Sequence, residues 1–157
     1  LKDCKQVYER KRIIVMKDYD IRECSNEEAD FVIDKLVEYN LSKVASTQEI
    51  DFLNIDRVVE DVKGNIIAGI LAKMYCWNCL YIDVLWVEEG YRKDGLGSKL
   101  LKEIENIAIE KGCHLIHLDT FDFQAKDFYI KHGYEVFGVL DECPKKHKRY
   151  YLKKLIK

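Results

Sequence analysis

The sequence contains little that would mark a linker, a membrane span or a nucleic-acid partner. It has one proline among 157 residues, so we predict a single domain over residues 1–157, with residues 1–15 forming a tail or an added strand. Basic charge is not in excess, because the formal net charge is -2, and this predicts no nucleic-acid partner and no membrane partner. The most apolar run, NIIAGILAKMYCW, is short and contains Lys73, which excludes it as a membrane span.

A secretory leader and a zinc site are also not indicated. The first residues, LKDCKQVYERKR, lack the apolar core of a signal peptide, so we expect a cytoplasmic protein in which the six cysteines stay reduced. Cys76 and Cys79 form a C-x-x-C pair, but no second pair exists at zinc-site spacing. The pair lies between two strand-like runs, whereas a redox motif would begin a helix. We therefore predict structural thiols and no metal.

Hydrophobic periodicity predicts an α/β fold around one mixed, mostly antiparallel sheet. YDIREC indicates a strand, and Ser25 with Glu28 has the spacing of a capping box that begins a helix. The turn signal KGN and the Trp77-Asn78 pair delimit the strands of a hairpin. The expected order is strand, helix, three strands, helix, strand, helix and two strands. Gly112 and Gly133 are placed to end the later helices.

The segment VEEGYRKDGLGSKLLKE places glycines directly before a helix. Helix N-termini bind phosphates through free N–H groups and the positive end of the helix dipole. A Walker loop requires Lys and Ser or Thr after the second glycine, but Leu96 and Gly97 follow Gly95 here. A dinucleotide fingerprint requires a third glycine where Leu100 stands. A third pattern, R-x-x-G-x-G, is filled completely by residues 92–97.

At this motif the sequence resembles the GNAT superfamily of acyl-CoA N-acetyltransferases. The strand LYIDVLWV lies directly upstream, and QAKDFYIKHGYEVFGVL resembles the family segment A-x-x-x-Y-x-x-x-G-[FY], although Asp122 stands where the family often has Asn. The resemblance covers about residues 20–155 and implies a GNAT-like fold, a central sheet flanked by helices, with acetyl-CoA as co-substrate. It assigns coenzyme binding to Leu85, Trp86, Val87, Arg92, Lys93, Asp94, Gly95, Leu96, Gly97 and Ser98.

The resemblance also implies acetyl transfer to a primary amine. Such an amine has a pKa of about 10.4 and must lose a proton before it attacks. Tyr129 matches the family's tyrosine, which implies that it protonates the leaving thiolate. For the base we rank Asp83 first, because an acid inside an apolar strand is paired or functional. The alternatives are Asp119, Glu88 and His117, and the oxyanion donor is expected to be a backbone N–H near Trp86 or Val87.

Other interpretations remain open from the sequence. The same fold can bind acyl-CoA as a sensor or scaffold without catalysis, and a kinase-like nucleotide enzyme is a more distant alternative. The acceptor is predicted to be a small-molecule or peptide amine, and the protein a monomer or a homodimer. The basic segment 141–154 is interpreted as a solvated loop and an edge strand protected by lysines, rather than as a binding site.

Overall fold

The computed structural model describes residues 19–156. The chain divides into two compact units, and their boundary falls between Tyr39 and Asn40. Helix α1 (Asn26–Lys43) crosses this boundary. Among the described residues, no helix is both long enough and apolar enough to span a membrane.

The segment before α1 is not the strand that YDIREC predicts, since residues 19–25 have no regular secondary structure. Their polar side chains bond locally: the Arg22 guanidinium donates to the Glu28 carboxylate at 2.9 Å and to the Glu23 carbonyl at 2.9 Å. The predicted capping box is confirmed. Ser25 N–H donates to Glu28 Oε2 at 2.9 Å, and Glu28 N–H donates to Ser25 Oγ at 3.3 Å, so the helix begins where the sequence indicates.

Seven strands and two further helices form the second unit. They are β1 (Phe52–Asn54), β2 (Arg57–Glu60), β3 (Ile66–Tyr75), β4 (Cys79–Val87), α2 (Leu96–Glu110), β5 (Leu115–Phe121), α3 (Lys126–Lys131), β6 (Glu135–Asp141) and β7 (Lys148–Leu155). The sheet order is β1-β3-β4-β5-β7-β6, with β2 also pairing with β3. Every pairing among these strands is antiparallel except that of β4 with β5. The mostly antiparallel mixed sheet predicted from the sequence is thereby confirmed.

The early part of the sheet contains one strand more than predicted. FLNIDRVVED forms two short strands rather than one, and both pair with β3. Between them, Ile55 N–H donates to the Ala72 carbonyl at 2.7 Å, and Ala72 N–H donates to Asp56 Oδ1 at 3.1 Å. A side-chain oxygen thus replaces a backbone acceptor at this point, which interrupts the ladder.

Helix α2 supplies much of the hydrophobic core. Leu100, Leu101, Ile104 and Ala108 of this helix are buried. They belong to one cluster with inward-facing residues of the central strands, including Ile70, Leu80, Ile116, Leu118 and Leu152. Gly112 ends the helix with a φ of 72°, a left-handed conformation that glycine adopts without steric cost. Because α2 is anchored along its length, its first turn is held against the end of β4.

Cys76 and Cys79 lie at the hairpin between β3 and β4 and are both buried. Cys79 Sγ is 3.8 Å from His114 Nε2. Burial raises the pKa of the Cys76 and Cys79 thiols, which lowers their reactivity. Within residues 19–156 there is no group of three or more His, Cys, Asp or Glu side chains arranged to bind a metal ion.

Candidate active site

The two parallel central strands separate before they end. Strand β4 pairs with β5 over Cys79–Ile82, opposite Leu115–Leu118. Beyond Ile82, β4 continues to Val87 beside β3. A cavity of about 810 Å³ opens at this separation, lined by the ends of β4 and β5, the start of α2 and part of α3. Ligands of α/β proteins commonly bind beyond the carboxyl ends of parallel strands, so we take this cavity as the candidate active site.

One wall of the cavity is a backbone cradle, defined here as residues 92–98. A short 3₁₀ helix (Glu89–Tyr91) leads into it, and the chain then adopts positive φ at Lys93 (77°) and Gly95 (80°). The first backbone hydrogen bond of α2 runs from Lys99 N–H to the Gly95 carbonyl at 3.0 Å. The N–H groups of residues 96–98 therefore have no acceptor inside the helix. This arrangement suits an anionic ligand such as a pyrophosphate.

The glycine pattern has different physical causes at its two positions. Gly95 needs its left-handed conformation, whereas Gly97 lines the cavity. A Cβ atom built on Gly97 would lie 3.6 Å from Phe128 Cζ and 3.7 Å from Val87 Cγ2. A methyl group would just fit there, and any larger side chain would occupy the cavity or displace its walls.

Basic side chains accompany these free amides. Arg92 and Lys93 line the cavity and are exposed. Arg92 Nε donates to the Val87 carbonyl at 3.0 Å, which holds the guanidinium at the end of β4. Of the residues assigned to the coenzyme from the sequence, only Asp94 does not line the cavity.

Two N–H groups of β4 point away from β3 in the part of the strand where β4 has separated from β5. Glu88 N–H donates to the Ile67 carbonyl at 2.8 Å, toward β3. Because backbone groups alternate sides along a strand, the N–H groups of Val87 and Leu85 point the opposite way. That side faces the region where β5 has separated from β4. Of the two expected oxyanion donors, the alternation favours Val87 over Trp86.

The position of Asp83 differs from the simple alternation expected of a strand. Ile82 is opposite Ala72 and Val84 is opposite Leu71, so Asp83 is the extra residue of a β-bulge. The period of two predicts that Tyr81, Asp83, Leu85 and Val87 share one face. The bulge shifts the alternation by one, so Leu85 and Val87 pack on the core and do not share the face of Tyr81. Asp83 is exposed rather than enclosed by apolar neighbours, and it lines the cavity. No hydrogen bond or ion pair to its carboxylate is found within the described residues.

Asp119 also lines the cavity but is already engaged on both oxygens. Oδ1 accepts from Arg149 Nε at 2.5 Å, and Oδ2 accepts from the Tyr81 hydroxyl at 2.8 Å. Although burial acts to raise the pKa of Asp119, these hydrogen bonds and the Arg149 charge outweigh burial and lower it. Asp119 is therefore held ionised as part of a three-strand network on β4, β5 and β7.

The other two candidate bases point elsewhere. Glu88 caps the short 3₁₀ helix, since its carboxylate accepts from Glu89 N–H at 3.2 Å. His117 Nε2 is 2.8 Å from the Tyr75 hydroxyl, and burial lowers the pKa of the imidazole. Neither residue lines the cavity. Of the four acids and bases ranked from the sequence, Asp83 is the one that combines a place in the cavity with an unengaged carboxylate among residues 19–156.

Tyr129 lies on α3 and faces the cavity, with 6% of its surface exposed. Its ring packs edge-on against Phe128 and Tyr134, with centroids at 5.2 and 5.7 Å. Burial, reinforced by the negative charge of Asp119, raises the pKa of Tyr129 to about 12. The hydroxyl therefore stays protonated at neutral pH and is available as a proton donor.

Several residues of this site were not predicted from the sequence. Phe128 and Gln124 line the cavity, and Arg149 and His132 hold its walls from outside. Gln124 Oε1 accepts from Phe121 N–H at 2.9 Å and anchors the turn after β5. His132 follows Tyr129 by three residues, and this helical spacing on a segment already implicated is the signal that could have found it.

Comparison with known proteins agrees with this geometry. Residues 19–134 match the model of the acetyltransferase (GNAT) family. The chain is 36% identical over 83 residues to the blasticidin-S acetyltransferase of Streptomyces morookaense, and this match covers 52% of the chain and 60% of that relative. The chain thus spans less than two thirds of the length of that relative.

Solved structures extend the likeness over more of the chain. An acetyltransferase from Bacillus cereus has 40% sequence identity and a TM-score of 0.80, covering 88% of this chain and 98% of its own. A Bacillus anthracis structure described as a streptothricin acetyltransferase, with acetyl coenzyme A bound, has 24% identity and a TM-score of 0.58. It covers 66% of this chain and 63% of its own, and at that identity it shows the fold alone. The family match over most of the sequence, with these relatives, establishes that the chain belongs to the acetyltransferase (GNAT) family.

Proposed function

We propose that this protein transfers the acetyl group of acetyl-CoA to a primary amine by direct attack. The observation that carries the proposal is the position of the free N–H groups of residues 96–98 beside the cavity at the β4–β5 separation. A cradle for phosphates, a channel between two strands and a buried proton donor meet there. Acetyl-CoA, when bound, supplies an activated thioester carbonyl, and this chain supplies the binding groups and the proton transfers.

The cavity fits an elongated anionic ligand. The amides of the cradle and the side chains of Arg92 and Lys93 suit a pyrophosphate. The N–H groups of Leu85 and Val87, directed into the separation, suit the amide groups of a pantetheine arm and the oxygen of the thioester. Phe128 and Val87 provide the apolar wall beside Gly97.

Asp83 is the proposed proton acceptor for the incoming amine. Its carboxylate is exposed and without a partner among the described residues, so it can receive a proton directly or through one water. Asp119 is the weaker candidate, because protonation of its carboxylate would weaken the bonds with Arg149 and Tyr81. Asp119 instead adds negative charge near the site and holds the separated strands.

Tyr129 is the proposed proton donor to the leaving thiolate. A hydroxyl with a pKa of about 12 keeps its proton through the neutral range, so it can hydrogen-bond the leaving sulfur and pass its proton to the thiolate as the carbon–sulfur bond breaks.

The acceptor is proposed to be a small molecule bearing a primary amine. The relative with 36% identity is named for blasticidin-S, a small-molecule acceptor, and the carboxylates of Asp83 and Asp119 at the cavity are compatible with a cationic amine. A peptide amine is the second candidate class, and the open edge of the cavity gives it access.

Thermal unfolding with acetyl-CoA, CoA, ATP and NAD in parallel tests coenzyme binding. A ligand at a hundred times its dissociation constant stabilises the folded state by about 2.7 kcal/mol, so acetyl-CoA and CoA should raise Tm clearly. Stabilisation by ATP or NAD alone would contradict the proposal. A panel of amines, assayed by release of the CoA thiol, then tests turnover.

A non-catalytic acyl-CoA sensor remains the alternative function. It would show the same thermal shift with acetyl-CoA but no thiol release above background with any amine. Because a sensor has no turnover that needs a proton donor, Tyr129→Phe would leave its acetyl-CoA binding near that of wild type. An enzyme would instead lose turnover in that variant while keeping the thermal shift.

A further inference from the structure

His132 connects the two elements that carry the cradle and the proposed proton donor. It caps the C-terminal end of α3 and is half-buried. Its Nε2 lies 3.0 Å from Ser98 Oγ in the first turn of α2, and its Nδ1 lies 2.8 Å from the Phe128 carbonyl. One imidazole therefore spans from the backbone of α3 to a side chain of the cradle.

The chemistry of these contacts fixes the neutral tautomer. A carbonyl oxygen only accepts hydrogen bonds, so Nδ1 must carry the hydrogen that points to Phe128. In the neutral ring Nε2 is then an acceptor, and the Ser98 hydroxyl donates to it. Both the ring orientation and the Ser98 rotamer are determined by this pair of bonds.

The imidazole is also held from its other sides. The His132 ring packs on the Phe128 ring with centroids 4.3 Å apart, and Phe128 in turn contacts the position of Gly97. The His132 carbonyl accepts from Lys154 Nζ at 2.9 Å, and the same ammonium donates to the buried Glu105 of α2 at 2.8 Å. The end of α3 is thus attached to α2 at both its first turn and its third.

We propose that His132 is a positioning residue that fixes α3, and with it Tyr129, relative to the cradle through its hydrogen bond with Ser98. The inference rests on the proposed function, because it assigns His132 the task of setting the distance between the Tyr129 hydroxyl and the sulfur of a coenzyme bound in the cradle. His132 itself does not line the cavity. Misplacement of a catalytic group by a fraction of an ångström to an ångström costs up to about 100-fold in rate.

Two substitutions of His132 separate the two hydrogen bonds that its ring makes. The amide of His132→Asn can reach the Phe128 carbonyl but not Ser98, whereas the longer amide of His132→Gln can reach Ser98. We expect kcat to fall roughly 10- to 100-fold in His132→Asn, with KM for acetyl-CoA within about twofold, and His132→Gln to recover part of the loss. His114→Asn is the matched control, since His114 lies before β5, outside the cavity lining.

A double-mutant cycle with Ser98→Ala distinguishes the loss of the His132–Ser98 hydrogen bond from a general disturbance of the fold. Ser98 has its own place at the cradle, so Ser98→Ala will raise KM. If the bond between the two side chains carries the effect, His132→Asn should lower kcat no further in the Ser98→Ala background. Three results would each overturn the proposal. They are additive losses in kcat in the double mutant, a kcat of His132→Asn equal to that of wild type, and equal losses in His132→Asn and His132→Gln.

A measurement without turnover keeps this test independent of the proposed function. In long-range ¹H–¹⁵N correlation spectra of the histidine rings, the neutral form of His132 should carry its hydrogen on Nδ1. Hydrogen on Nε2 alone would contradict the geometry on which the positioning role depends. A wild type that acetylates no amine would instead contradict the proposed function.

Discussion

The two walls of the cavity are built in different ways. The cradle at residues 92–98 presents backbone N–H groups. It needs glycine for the left-handed conformation at Gly95, and at Gly97 a side chain larger than a methyl group would enter the cavity. The second wall rests on side chains: Asp119 of β5 lines the cavity and is held by Arg149 of β7 and Tyr81 of β4. A backbone site is specified by a short continuous segment, whereas a side-chain network needs three strands in the correct register.

The largest expected effect comes from filling the cradle. Gly97→Glu places a long anionic side chain where the coenzyme phosphates are proposed to bind, so acetyl-CoA affinity should fall by more than about 100-fold. Gly90→Glu adds the same charge at a position with nothing within 4 Å, outside the cavity lining, and should bind nearly as wild type does. Calorimetric titration measures both, and normal binding by Gly97→Glu would exclude the cradle as the phosphate site.

The second effect concerns the proton donor. Tyr129→Phe removes one hydroxyl and should lower kcat about 100-fold with little change in acetyl-CoA affinity. Tyr134→Phe is the matched control, because its hydroxyl is also buried but the residue does not line the cavity. Steady-state kinetics should separate the two variants, and equal kcat values would remove Tyr129 from the mechanism.

The two carboxylates of the cavity should respond in opposite ways. Asp83→Asn should lower kcat about 10- to 100-fold and leave Tm near that of wild type, since Asp83 is exposed. Asp119→Asn should instead destabilise the fold by about 1–3 kcal/mol, because it leaves Arg149 without its ionised partner. Kinetics and urea denaturation on both variants test this division, and a reversal would make Asp119 the base.

The smallest effect is on stability at the extremes of pH. Burial raises the pKa of Tyr75, Tyr81 and Tyr129 to about 12. Between pH 10 and 12 the unfolded chain loses these protons and the folded protein keeps them, so stability should fall as pH rises above about 10. The pKa of Asp119 is lowered, so its contribution is present above about pH 4 and is lost in more acidic solution.

Urea midpoints measured across pH test both directions. Tyr81→Phe should make the alkaline loss shallower, because the variant lacks one of the three tyrosines. It should also weaken the acid dependence, since Tyr81 donates to Asp119. If the urea midpoint falls equally with rising alkaline pH in wild type and in Tyr81→Phe, the burial of Tyr81 does not cause the loss of stability.

Local patterns in the sequence predicted most elements of the fold. The Ser25–Glu28 capping box marks the start of α1, and Gly112 marks the end of α2. These signals are reliable because the interactions lie within a few residues of one another. The prediction that YDIREC forms a strand is wrong. β propensity reflects packing against neighbouring strands, whereas in this segment Arg22 forms local hydrogen bonds.

By itself, the sequence determined the conformation of the cradle and the segment that carries Tyr129, since both depend on residues adjacent along the chain. Only the tertiary structure decided which acidic side chains are engaged in hydrogen bonds and which are not. The bulge at Asp83 changes which face its neighbours share, and Asp119 is paired with Arg149 from a strand 30 residues away. Only folding brings His132 to Ser98 across 34 residues. Register and side-chain pairing are properties of packed elements, and no local pattern encodes them.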